Sequence, residues 1–246
     1  MKHSPISGVG YLFRGFALIT KPGIRPFAII PLLINVVLFA IGLWYALAQF
    51  QLFLDWLGDL LPSWLQWLEW LVIPIFLLAM VATVFFTFSI VANIVGAPFN
   101  SILAERVEQH LRGKKPTDTD MGMKEIFARI IPLIWNEINK VAYSILWAIP
   151  FLLLFIVPVV QIAAPFLWLL FSAWILAIQY VDIPMGNHDM TGKEVRQQLR
   201  EKRAMSLGFG GMTLLMTSIP LFNFLVMPTA VAGATAMWVE ALEPRP

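Results

Sequence analysis

The chain has 246 residues, of which 59% are hydrophobic and 13% charged, and its mean hydropathy is +0.77; a soluble domain carries about 25% charged residues, so water is excluded as the main solvent. With no cysteine, disulfides, thiolate metal sites and cysteine nucleophiles are excluded. The formal net charge of +2, with basic residues beside apolar runs and no stripe of cations and aromatics, excludes a nucleic-acid surface.

No Gly/Ser-rich linker or low-complexity tract divides the sequence, which reads as a single membrane domain, 1–246. The class expected is an all-α integral membrane protein. Its parts are two long transmembrane helices, two helical hairpins and a polar helical segment on the cytoplasmic side. Histidines stand at positions 3, 110 and 188, too dispersed for a metal motif, and there is no Walker loop, GxSxG elbow or dinucleotide fingerprint. The expectation is therefore a non-enzyme without cofactor or metal.

In chain order, residues 1–21 lack a signal-peptide core, so insertion is expected to use the first true membrane helix. Just before that helix lies Lys21-Pro-Gly-Ile-Arg25. A helix amino terminus offers backbone amides and partial positive charge, Gly23 lets backbone approach an anion, and Arg25 supplies a bidentate fork. Two readings are open: a tetrahedral-anion site, or a cationic anchor against lipid headgroups.

The run 27–50 carries no charge, and 24 helical residues extend roughly 36 Å, enough to span with tilt. Residues 51–69, with Asp55, Asp59 and Glu69 among tryptophans, read as an interfacial loop and short amphipathic helix. The run 70–104 is a second spanning helix, longer than the hydrocarbon requires. Asn35, Asn93, Asn100, Glu105 and Arg106 place polar groups in or at the ends of these helices. Burial without partners would cost several kcal/mol, so they face protein, either as interhelical hydrogen bonds or as a translocation path with Glu105 and Arg106 at a charged mouth.

Residues 105–140 form a polar, basic segment. The runs 141–181 and 207–238 are charge-free and broken by Pro158–Pro165 and by 220–223, the signature of hairpins. Their arms, at about 16 to 18 residues or fewer, are near or below the roughly 20 needed for a perpendicular span. They either enter the membrane without crossing or cross tightly, and non-helical tips at depth require cover by protein or water. Between them 182–206 is a basic amphipathic segment, with Glu194 expected beside basic partners.

All seventeen Lys and Arg lie before Pro26, between 106 and 140, between 193 and 203, or at Arg245. By the positive-inside rule these segments and the amino terminus are cytoplasmic.

The blocks PGIRPFAIIPLLIN (22–35), ANIVGAPFNSILAE (92–105), LFSAWILAIQYVDIPMGNH (170–188) and MPTAVAGATAMWVE (227–240) resemble, in matching order, the CysZ sulfate permeases of bacteria. The resemblance implies an inner-membrane homo-oligomer that admits sulfate for cysteine biosynthesis; with no ATP motif in the sequence, movement is expected without ATP hydrolysis, as a channel or ion-coupled permease. It implies sulfate binding at Gly23, Ile24 and Arg25 and a translocation path past Asn100 and Glu105. A second arginine of the family's pattern is Pro26 here, which removes one guanidinium and one amide donor. The competing class is a non-transporting scaffold or regulator that binds lipid headgroups or a partner protein.

Overall fold

A computed structural model describes residues 4–60, 67, 69–114 and 123–243, with the side chains at 35, 51, 60, 69, 84–95, 97, 123–137 and 220–224 outside that description. The described chain is helical: α1 (Pro5–Ile19), α2 (Arg25–Leu60), α3 (Glu69–Leu111), α4 (Met123–Leu153), α5 (Ala164–Gly186), α6 (Gly192–Glu201), α7 (Arg203–Thr217) and α8 (Pro220–Met237), closed by a π-helical turn, Trp238–Leu242. It divides into two compact units, one of residues 1–28 with 100–246, the other of residues 29–99.

The smaller unit holds most of α2 and α3. The 36 residues of α2 extend about 54 Å and present Leu33, Val36, Ile41 and Trp44 outward, as a helix solvated by lipid does. The expected loop at 51–69 is corrected over 51–60, where α2 simply continues. No helix breaker lies between Phe50 and Gly58, and Asp55 and Asp59 remain exposed on the helix surface. Phe53 stacks on Phe76 of α3, ring centroids 3.6 Å apart and 5° from parallel, tying the two long helices together.

The larger unit buries α1, α5, α7 and α8 against one another, around Leu12, Met205, Phe209 and Met237. Lipid is as apolar as leucine, so burial alone does little to hold membrane helices together; close packing must do it. Small residues permit that closeness. A Cβ at Gly8 would stand 2.0 Å from the Met205 carbonyl oxygen, at Gly15 2.1 Å from that of Thr229, at Gly208 2.1 Å from that of Pro5, and at Gly210 1.8 Å from that of Ala173. Every one of those neighbours is backbone, which cannot rotate aside.

Proline places the breaks. Pro220 begins α8, and the residue before it, Ile219, is pushed to extended backbone at φ −98° and ψ 111°. The Pro158–Pro165 stretch becomes a turn and a 3-10 helix, Val160–Ile162, between α4 and α5. The arm estimate for this pair is corrected: α5 has 23 residues, because Asp182, Pro184 and Gly186 stay helical. Arg25–Asp59, Ala164–Gly186 and Leu225–Leu242 are each long and apolar enough to cross a membrane. The polar segment 105–140 is likewise not a separate element but the end of α3 and the beginning of α4; residues 115–122 of it lie outside the described residues.

Gly210→Ala and Gly15→Ala are expected to lower stability in detergent by at least ~1–3 kcal/mol, the cost of overpacking, whereas Gly10→Ala, with nothing within 4 Å of its Cβ, should be neutral or slightly stabilising. Thermal melts of the three variants check this; a Gly210→Ala melt matching wild type would contradict the packing assignment.

Candidate functional site

The segment before α2 is a compact turn. The amides of Ile24 and Arg25 both donate to the Lys21 carbonyl, at 3.1 and 3.0 Å, and that of Phe27 donates to the Ile24 carbonyl at 3.0 Å. Pro22 and Pro26 carry no amide proton. Gly23 sits at φ +84° with open space where a Cβ would be, so glycine is required by backbone conformation and not by crowding. Its amide is the donor of this turn that has no backbone partner among the described residues. Ile24 is buried and pins the turn to the core, while Arg25, the first residue of α2, is exposed.

Arg106 comes to this place from α3. Its guanidinium carbon lies 5.3 Å from the ring centroid of Phe27, in the first turn of α2, a cation–π contact that holds a second cation near Arg25. Glu105 accepts from the Gln109 side chain, one turn on in α3, at 3.0 Å. Asn100 is half-buried at the start of this stretch. Asn35 and Asn93 are helical, in α2 and α3, but their side chains lie outside the described ones.

Beyond Arg106 a chain of contacts crosses between elements far apart in sequence. The Ser101 hydroxyl donates to the Asn187 side-chain oxygen, and the Asn187 amide donates to the Ser101 carbonyl at 2.9 Å. Glu108 meets His188 at 2.8 Å and Arg112 at 2.8 Å, and Arg112 meets Glu243 at 2.7 Å. Glu243, then Glu108, stabilise the Arg112 guanidinium and raise its pKa above the ordinary value. Arg14 of α1 pairs with Glu240 in the π-helical turn. Sequence reasoning missed this network: the only signals were isolated polar residues, and no helical spacing relates positions 108 and 188. No group of three or more histidines and carboxylates is placed to hold a metal among the described residues.

The basic segment behaves as a solvated helix. In α6, Val195 and Leu199 are buried, Gly192, Arg196 and Gln198 are half-buried, and the remainder faces outward. Glu194 is corrected from its expected basic partner: it completes a capping box, accepting from the Thr191 amide at 2.6 Å and hydroxyl at 2.8 Å. These bonds, that from the backbone amide first, hold its carboxyl below the ordinary range.

The profile of the family described as Sulfate transporter CysZ/Etoposide-induced protein 2.4 matches residues 11–228. A relative named Sulfate transporter CysZ, from Pseudomonas paraeruginosa, is 44% identical over 235 residues, covering 96% of this chain and 95% of that protein. Two proteins of the same name from Pseudomonas aeruginosa strains are 43% identical over the same coverage.

The Glu194 shift carries a pH sign. A carboxyl whose folded pKa is depressed contributes stability above its unfolded pKa of about 4.3 and loses it as pH falls through the lower folded value. The α6 cap should therefore survive acidification through the usual carboxylate range, and Thr191→Ala should make it fray at higher pH. Amide exchange of α6 against pH measures both; identical profiles would remove the capping role.

Proposed function

Because the chain belongs to the Sulfate transporter CysZ/Etoposide-induced protein 2.4 family, we propose that it carries sulfate across the bacterial inner membrane toward cysteine biosynthesis. It does so as a homo-oligomer with its amino terminus in the cytoplasm. The observation that carries the reading is the Gly23 turn at the head of α2. It sets Arg25 and an unspent backbone amide at the opening of a 36-residue membrane helix, with Arg106 fixed over Phe27 beside it.

A sulfate dianion gives up a strong hydration shell on leaving water, so its site must return both charge and donors. Arg25 supplies a fork, Gly23 an amide, and the amino end of α2 a fraction of a positive charge. Pro26 removes the donors that a second arginine there would add. Arg106 restores the missing guanidinium from a different helix, so the charge count at the site is kept while the local motif is not.

Asn100, Asn93 and Asn35 stay the candidates for amide side chains that replace the anion's water without trapping charge. No ATP motif is present in the sequence, so the driving force is a gradient. Glu105, hydrogen-bonded by Gln109, is the carboxyl through which proton coupling would run.

Radiolabelled sulfate uptake into proteoliposomes tests this. Arg25→Ala is expected to lower uptake roughly tenfold or more, the loss of a charge-assisted hydrogen bond worth about 1.5–3 kcal/mol, and Arg106→Ala to lower it by a comparable factor. Gly23→Asn, a residue that tolerates positive φ, should retain far more uptake than Gly23→Val. Excess phosphate and chloride should compete weakly. Absent uptake by well-folded wild-type protein would favour the non-transporting scaffold, and uptake insensitive to Arg25→Ala would move the anion site elsewhere. Glu105→Gln with unchanged uptake and pH dependence would assign the passive route.

A further inference from the structure

A groove of about 500 Å³ opens between α4, α5 and α7, with Ser144, Ala148, Phe171, Ser172, Leu214 and Thr217 among its lining residues. All of it belongs to the larger unit. Hydroxyl-bearing residues in the lining point, on first inspection, to a polar ligand, but two of the hydroxyls are already committed. Ser144 donates to the Lys140 carbonyl at 2.9 Å and Thr217 to the Leu214 carbonyl at 2.8 Å, each turned back onto its own helix. What the groove presents is mainly methylene, methyl and aromatic surface, on helices that are exposed and apolar.

The residues flanking the groove on α4 and α5 have a different chemistry. Next to Ser144, Tyr143 accepts a hydrogen bond from the Trp174 indole at 3.4 Å. Over the Tyr143 ring lies the Arg196 guanidinium, 4.5 Å from its centroid. Gly192 leaves room for that guanidinium, since a Cβ there would come within 3.3 Å of it. One turn before Ser144, Lys140 is paired with Asp182 at 3.0 Å, so its charge is balanced. Arg196 is half-buried and has no carboxylate partner among the described residues. A cation laid on an aromatic shelf whose residue adjoins the groove-lining Ser144 has, with the apolar groove, the complement of a phospholipid: phosphate at the cation, acyl chain along the groove.

We propose that this groove binds an anionic glycerophospholipid, its phosphate on Arg196 above Tyr143 and one acyl chain between α4, α5 and α7. An uncharged or zwitterionic headgroup would leave the guanidinium less fully neutralised, so phosphatidylglycerol is preferred to phosphatidylcholine. The site is separate from the Gly23 turn and does not depend on the transport reading.

Native mass spectrometry of delipidated full-length protein, titrated with phosphatidylglycerol and with phosphatidylcholine, decides it. The expected result is that wild type retains phosphatidylglycerol over phosphatidylcholine by about fivefold or more, a preference worth about 1 kcal/mol. Arg196→Gln should lose that preference while still binding both weakly, and Ala148→Phe, which fills the groove, should lose both. Melts of the two variants establish that they are folded. Equal retention of the two lipids by wild type, an unchanged preference in Arg196→Gln, or unchanged binding in folded Ala148→Phe would each overturn the proposal. Loss of self-association in Ala148→Phe with lipid retention unchanged would overturn it in favour of a contact between copies of the chain.

Discussion

Backbone approaching backbone is the interaction on which the larger unit depends. In lipid, an apolar side chain gains little by leaving one hydrocarbon environment for another, so the association of α1, α5, α7 and α8 rests on dispersion contacts at the shortest range. Gly8, Gly15, Gly208 and Gly210 each meet a carbonyl where any side chain would collide. Ile24 is buried in the same core cluster and anchors the turn ahead of α2. Site geometry is thus inherited from helix crossings that share no residue with the site.

Charge is organised around that scaffold in two ways. Arg106 and Arg196 are each laid on an aromatic ring, Phe27 and Tyr143 respectively. This fixes a cation without neutralising it and leaves its donors available to an anion. Arg14, Arg112 and Lys140 are instead paired with carboxylates and act as fasteners between elements. One residue type therefore serves recognition or fastening according to what faces it.

Much of the fold was legible because membrane physics writes it into local sequence. The charge-free run after Pro26, the confinement of every cation to four segments, and the break before Pro220 each follow from one rule applied to contiguous residues. The end of α2 was not legible, because aspartates at 55 and 59 resemble an exit from the helix and yet sit comfortably on its exposed surface. The Gly23 turn could be read as a candidate, since glycine between prolines ahead of an apolar run is a local signal. The approach of Arg106 could not, because nothing in the primary structure ties position 106 to position 27. The Ser101–Asn187 and Glu108–His188 contacts were hidden for the same reason.

The packing of α1 against α8 and the π-helical turn has a consequence for how the protein is made. Gly15 meets Thr229, and Arg14 meets Glu240, so residues of α1 find their partners in elements synthesised after every helix between. The core cannot close in step with synthesis. α1 must wait, its future packing face against lipid or a chaperone, until α8 has been delivered. Biogenesis therefore passes through an intermediate in which α2 is already inserted and the bundle that positions its amino terminus does not yet exist. During that interval the head of α2 has a membrane address but not yet its packed surroundings, which are withheld until α8 arrives.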